Sequence, residues 1–214
     1  MREASEQGDS VCAKWFEALG VTTTFTAEGA VLEKSTRSPQ VTRKCDNSTS
    51  EDNELSSQTD DNFCESNEDL PQTTSHSSQA YFYCKDATPL WLDFAAAPDL
   101  AQTFVVTCAL LSRPFHFKGL ESLRIKETDR IAALIAELQK LGKHIEAIGE
   151  GELRYTAQND GSPAHPITIA TYDDHRMALA FAPAALLFPQ LSIEHPEVVA
   201  KSYPHYWEHL FEID

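Results

Sequence analysis

The sequence predicts an α/β fold of the α+β kind, with buried helices inside, short sheets outside and a repeated unit throughout. Three observations predict it. Lys126 and Lys201 stand 75 residues apart in matching surroundings, Leu-Arg-Ile-Lys-Glu-Thr-Asp-Arg (123–130) and Val-Val-Ala-Lys-Ser-Tyr-Pro-His (198–205). Each is read as a short apolar strand ending in a lysine that opens a helix. Next, Asp93-Phe-Ala-Ala-Ala-Pro-Asp99, an apolar stretch to Leu111 and a strand at 115–117 return about 76 residues later. The second copy is Ala170-Thr-Tyr-Asp-Asp-His175, a stretch to Leu187 and a strand at 191–193, which sets Asp99 opposite His175. Finally, 16–32 matches 138–155 in its order of Leu-Gly stop, strand, turn and strand. Repetition of this kind organises a fold before any single element does.

The elements follow in order. A helix end at Phe16-Glu-Ala-Leu-Gly20 leads to a strand ending at Phe25, a turn at Ala27-Glu-Gly29 and a strand to Leu32. Residues 36–79 hold nine acids against Arg37, Arg43 and Lys44 and are rich in Ser, Thr, Asn and Gln. That composition predicts a disordered acidic insertion. The helix near 99–111 is apolar on most sides, through Leu100, Phe104, Val105, Val106, Cys108 and Leu110, so it belongs inside. The helix 128–141 is one-sided, with Ile131, Leu134, Ile135, Leu138 and Leu141 on a stripe and Gly142 as its stop. Alternation in 144–148 and 152–155 predicts a half-exposed hairpin. The helix near 174–187 is again apolar, and Pro183 should kink or shorten it. A full unit is therefore strand, buried helix, strand, amphipathic helix and hairpin. The first unit is incomplete and the last lacks its hairpin, so the whole of 1–214 is expected to be part of a longer polypeptide.

Composition excludes several classes. The net charge of −16 argues against nucleic acid and against an anionic membrane as partner. No apolar run approaches bilayer length, and no signal-peptide pattern is present. Cys12, Cys45, Cys64, Cys84 and Cys108 follow no metal or disulfide spacing, which favours a cytoplasmic setting with Cys108 as a core thiol. There is no Gly-rich phosphate loop, dinucleotide fingerprint or metal-ligand spacing.

The chemistry sits at the helix starts. Lys126, Arg130, Arg176 and Lys201 bring positive charge to places where a helix dipole is already positive, which suits an anion. Taken singly, each segment is also an ordinary acid-capped helix start, with Asp99 a cap and His175 a structural partner. Their recurrence at repeat-equivalent positions points to a shared site. Arg130 and Arg176 suit bidentate binding of phosphate or carboxylate, and Lys201 acts as a point charge. Asp99 and Glu127 can divide general base and general acid roles where their surroundings separate their pKa values.

The segments Leu-Arg-Ile-Lys-Glu-Thr-Asp-Arg, Ala-Thr-Tyr-Asp-Asp-His-Arg-Met-Ala and Ala-Lys-Ser-Tyr-Pro, with Pro98-Asp99, closely resemble the C-terminal part of the EPSP synthase family (3-phosphoshikimate 1-carboxyvinyltransferase). The resemblance covers roughly 8–34 and 86–214. It implies an enolpyruvyl-transferase-like inside-out α/β barrel lobe of βαβαββ repeats, one of two lobes in the enzyme. It implies the substrates phosphoenolpyruvate and shikimate 3-phosphate, and no cofactor. By the same resemblance Asp99 binds the attacking hydroxyl as base and Glu127 donates a proton. Arg130, Arg176 and Lys201 hold phosphoenolpyruvate, Lys126 reaches shikimate 3-phosphate and His175 gives support. Ser122 stands where the family often has Asn. The other lobe, which supplies further ligands, is missing, so the chain alone is expected to be inactive. The alternative is a non-catalytic anion-binding module with the same repeat fold. A relative of RNA 3′-phosphate cyclase shares the architecture but fits poorly with so acidic a chain.

Overall fold

Leucine and aromatic side chains at the front of the chain tie its first pieces to the core. The computed structural model describes residues 11–27, 29–34 and 88–212. The expectations for 36–79 and for Cys45, Cys64 and Cys84 lie outside these residues. Helix α1 (Cys12–Glu17) runs out at Gly20, whose φ of +83° suits a residue without a Cβ. Strands β1 (Val21–Phe25) and β2 (Ala30–Lys34) then pair antiparallel, with Val21 opposite Lys34 and Phe25 opposite Ala30. From α1, Trp15 meets Phe94 edge-on at 4.8 Å between ring centroids, and Phe16 meets Phe104 at 4.6 Å.

One complete unit follows in the expected order. It comprises β3 (Leu90–Asp93), a 3₁₀ turn (Pro98–Leu100), α2 (Ala101–Leu110), β4 (Phe115–Lys118), a 3₁₀ helix (Glu121–Ile125), α3 (Arg130–Lys140), β5 (Ile145–Ile148) and β6 (Glu152–Tyr155). The strands form one sheet ordered β3-β4-β6-β5, with β3 and β4 parallel and β4-β6 and β5-β6 antiparallel. Side chains alternate across it, as strand geometry requires. Phe115, Phe117, Leu153 and Tyr155 are buried, while Trp91, Glu146 and Arg154 are exposed. On that outer face Arg154 pairs with Glu146 directly opposite, at 2.6 Å. Helix α2 buries residues on most sides, including Gln102, Phe104, Val105, Val106 and Cys108, and leaves Thr103 exposed. Burial pushes the Cys108 thiol up to about 12, so it is an inert core group.

The second copy comprises β7 (Ile167–Ile169), α4 (His175–Phe181), a 3₁₀ helix (Ala182–Leu186), β8 (Leu191–Ile193), a 3₁₀ helix (Pro196–Lys201) and α5 (Tyr206–Phe211). Strands β7 and β8 are parallel, Ile167 opposite Leu191, just as Leu90 lies opposite Phe115 in the first copy. Pro183 acts as expected: the α-helix stops at Phe181 and the chain tightens into 3₁₀ geometry. Helices α2 and α4 pack on each other, which draws their N-terminal ends together.

One expectation fails. The apolar runs before Lys126 and Lys201 are 3₁₀ helices, not strands, and Lys201 closes one of them rather than opening an α-helix. Stretches of three residues, Leu-Arg-Ile and Val-Val-Ala, carry no period that separates strand from helix. Leu123 is buried while Ile125 is 84 % exposed, and Pro196 presets a helical φ at the start of the second run. Among the described residues no helix is long and apolar enough to cross a membrane.

Gly119, at φ +74°, holds the end of β4 against the 93–95 turn. A Cβ there would stand 2.5 Å from the Ala95 nitrogen and 2.6 Å from Asp93 Oδ1. Gly149 has a similar φ of +61° with open space around it. Gly149→Ala is expected to cost about 1 kcal/mol from backbone strain alone. Gly119→Ala should cost about 3 kcal/mol, because strain and collision add. Urea unfolding of the two variants measures the difference, and equal losses would show that the 93–95 turn gives way freely.

Candidate functional site

Asp99 sits at the entrance to α2 without capping it: the N-cap position is Leu100, and no side chain bonds the helix start. Its carboxylate turns to cations instead. Oδ1 accepts from Arg130 Nη1 at 3.0 Å and lies 3.7 Å from Lys126 Nζ. Oδ2 accepts from Arg176 Nη2 at 3.1 Å, and the Asp99 carbonyl accepts from Arg176 Nη1 at 3.1 Å. The reading of Asp99 as a plain helix cap is thereby set aside.

Arg130 is the hub. It is the first residue of α3 and is 1 % exposed. Its Nε donates to Asp174 Oδ2 at 2.6 Å, and Nη2 donates to Asp174 Oδ1 at 3.3 Å and to Glu127 Oε2 at 2.9 Å. The other Glu127 oxygen accepts from Lys201 Nζ at 3.2 Å. Asp99, Lys126, Glu127, Arg130, Arg176 and Lys201 thus form one connected cluster, drawn from segments up to 102 residues apart. His175 adjoins it through Asp174, with Nδ1 3.9 Å from Asp174 Oδ1. Ser122 lies in the 3₁₀ helix before Lys126, and among the described residues no hydrogen bond joins it to the cluster.

Asp174 belongs to this site, although sequence reasoning took it only as part of an acidic helix start. It is completely buried and caps α4, its Oδ1 accepting from the Arg176 N–H at 2.9 Å. One carboxylate therefore orients Arg130 and fixes the backbone that carries Arg176. The available signal was an acid more than a cap requires: Asp173 and Asp174 in succession. The loop before them is strained, with Tyr172 and Asp173 both at φ +55°. Each left-handed residue costs roughly 1–2 kcal/mol, which the surrounding contacts must offset. Asp129, by contrast, is a structural cap of α3, accepting from the Ala132 N–H at 3.1 Å and pairing with Arg124.

Electrostatics separate the groups. Arg130 loses hydration on burial, which alone would weaken its charge. Asp174 outweighs that, followed by Glu127 and Asp99, and the guanidinium pKa ends above its ordinary value. Glu127 is held at about 2 by its own backbone N–H first and by Lys201 next, with Arg130 adding to the pull. Burial lowers the pKa of His175 despite the attraction of Asp174, with Arg176 and Lys201 lowering it further, so the ring is neutral at pH 7. Among the described residues its Nδ1 has no hydrogen-bond partner. The side chains of Lys126, Arg176 and Lys201 remain 33 %, 31 % and 59 % exposed. An arriving anion meets these three first and competes for them with Asp99 and Glu127. The arrangement can bind a phosphate or carboxylate beside two acids.

A sequence model of EPSP synthase (3-phosphoshikimate 1-carboxyvinyltransferase) matches residues 69–210. A 3-phosphoshikimate 1-carboxyvinyltransferase of Bacteroides fragilis strain YCH46 is 55 % identical over 118 residues, covering 55 % of this chain and 28 % of the relative. One from Nostoc punctiforme is 36 % identical over 122 residues, covering 57 % of this chain and 28 % of the relative. The matched stretch therefore spans little more than a quarter of these curated relatives. A solved EPSP synthase from Acinetobacter baumannii aligns over 53 % of this chain and 26 % of that one, at 26 % identity and a TM-score of 0.41.

Removing the hub should be costly. Arg130→Met leaves the Asp174 carboxylate buried and unpaired and is expected to lower unfolding free energy by about 3–5 kcal/mol. Asp99→Asn, at a half-exposed position, should cost under about 1 kcal/mol. Urea titration checks both, and similar losses would remove Arg130 from its central place. Glu127 yields a pH signature. Its folded pKa of about 2 lies below the ordinary 4.5, so its contribution is complete above pH 4.5 and is lost as pH falls toward 2. Carboxyl-carbon NMR should find a midpoint near 2 that rises in Lys201→Ala. An unmoved midpoint would mean that Lys201 does not hold it.

Proposed function

The chain belongs to the EPSP synthase family, and on that premise we propose that it supplies the C-terminal lobe of a 3-phosphoshikimate 1-carboxyvinyltransferase. In this reading the described units form an inside-out lobe, with α2 and α4 at its centre and the sheets outside. A second lobe completes the site. The observation that carries the reading is the sharing of Arg130 between Asp99 and Glu127, with Arg176 and Lys201 on their other oxygens and Lys126 beside the Asp99 oxygen that Arg130 bonds.

The geometry supports a division of labour. Asp99 takes the proton from the 5-hydroxyl of shikimate 3-phosphate as that oxygen bonds to C2 of phosphoenolpyruvate. Glu127 gives a proton to C3, which becomes a methyl group. Arg130, Arg176 and Lys201 hold the phosphate and carboxylate of phosphoenolpyruvate and the tetrahedral adduct, and Lys126 holds shikimate 3-phosphate. The C2–O bond to phosphate then breaks, the methyl group returns a proton to the Glu127 carboxylate, and inorganic phosphate departs. His175, neutral and buried, supports the start of α4.

Glu127 is ionised in the ligand-free site, where Lys201 and Arg130 help to hold its charge. Substrate anions that draw those cations away would raise its pKa and let it take up the proton that it later gives. Acid function in this reading follows substrate binding.

Phosphate release from phosphoenolpyruvate and shikimate 3-phosphate tests the reading. The chain alone should release none, and the chain supplied with the remaining part of the Bacteroides fragilis relative should turn over. In that assembly Asp99→Asn should abolish turnover. Arg176→Ala should cost about 2–5 kcal/mol in transition-state stabilisation, with unfolding nearly unchanged. Near-normal catalysis with clearly reduced stability would make Arg176 a structural ion-pair residue and overturn its assignment.

A further inference from the structure

We propose that Glu137, a buried carboxylate outside the cluster, is a positioning residue: it fixes the 170–173 loop and so sets where Asp174 and Arg176 stand. The proposal rests on the reading of the cluster as an anion site. Glu137 is 1 % exposed and lies seven residues after Arg130, so both project from nearly the same face of α3, two turns apart. Its Oε2 accepts from the Ala170 N–H at 3.0 Å and from Lys140 Nζ at 2.7 Å. Its Oε1 accepts from the Tyr172 hydroxyl at 2.8 Å.

Two of these three donors belong to the segment that joins β7 to α4. That segment carries both left-handed residues, Tyr172 and Asp173, and it ends in Asp174. The Asp174 N–H donates to the Thr171 carbonyl at 2.9 Å. The loop is therefore held at Ala170 and Tyr172 by Glu137, and at Asp174 by Arg130. One helix grips it at two points, one turn of strained backbone apart.

Helix stability alone does not call for this arrangement. A Glu-Lys pair three residues apart serves a helix equally well on its wet face. Buried carboxylates are costly unless fully bonded, and an apolar side chain would fill the same space beside Leu134 and Leu138. An acid at this place is explained by the donors it collects, and those donors are the loop. Without them the loop is free to relax toward ordinary φ values, and the Arg176 guanidinium would move away from Asp99.

The test uses the 214-residue chain and inorganic phosphate as probe. Glu137→Met removes the acceptors while keeping side-chain length. It is expected to speed hydrogen exchange at the Ala170 and Asp174 amides roughly tenfold and to weaken phosphate binding by about the same factor. Glu137→Gln, which keeps one acceptor, should recover most of both. Lys140→Met removes the ion pair and a bond from Lys140 Nζ to the Thr168 carbonyl in β7, but neither loop bond, so it should leave phosphate binding within about twofold, whatever it does to stability. Should Glu137→Met fail to fold, Tyr172→Phe deletes one loop bond at a part-exposed side chain and should move exchange and affinity the same way, by less. Unchanged phosphate affinity in a folded Glu137→Met chain overturns the proposal, as does an equal weakening by Lys140→Met. If the unsubstituted chain binds no phosphate, the anion-site reading falls, and exchange at Ala170 alone decides whether Glu137 holds the loop.

Discussion

A guanidinium removed from water at the first residue of α3 is the constraint on which the rest of this structure depends. Arg130 cannot lose its charge, so its burial requires acceptors on every edge of the planar group. Asp174 takes one side, Asp99 the end of one branch and Glu127 the end of the other. These acids come from the starts of α4, α2 and α3. Satisfying one buried cation therefore fixes three helix starts relative to one another. Arg176 and Lys201 take the other oxygens of Asp99 and Glu127, and Lys126 shares the Asp99 oxygen that Arg130 bonds.

The apolar interior makes that convergence possible. Helix α2 has only a narrow wet edge, at Thr103, so it can be packed against α4, α3, the aromatic residues of α1 and the sheet. A helix buried this far has room for charged groups chiefly at its ends, where the backbone also leaves N–H groups without partners. The charged residues gather there for the same reason that the helices are buried. Tyr172 and Asp173, the strained pair, occur at one of these ends, where Asp174 must serve Arg130 and the Arg176 amide together.

Much of this was legible in the amino-acid order. The recurrence of Lys126 at Lys201, and of Asp99 at His175, brought together the segments that meet in space. The one-sided stripe of 128–141 and the breaking effect of Pro183 were equally plain. Two things escaped. The short stretches at 123–125 and 198–200 could show no period, so their 3₁₀ form was decided by packing at Leu123 and by Pro196. Asp174 and Glu137 were missed because the use of a buried acid depends on what faces it across the fold. Asp174 is 44 residues from Arg130, and Glu137 is 33 from Ala170. No local spacing records those encounters.

The self-paired state of the cluster also bears on how an anion would reach it. Four cations stand against three carboxylates, so from a distance the cluster offers hardly more than a single positive charge, set in a chain of net −16. Within a Debye length of about 8 Å of its surface the net negative charge of the chain repels a phosphate. Attraction begins only at close range, once the incoming oxygens can displace Asp99 or Glu127. Such a site is entered by exchange rather than by steering. Added salt would screen the outer repulsion and quicken encounter with a dianion, the reverse of the dependence shown by pockets that advertise unpaired positive charge.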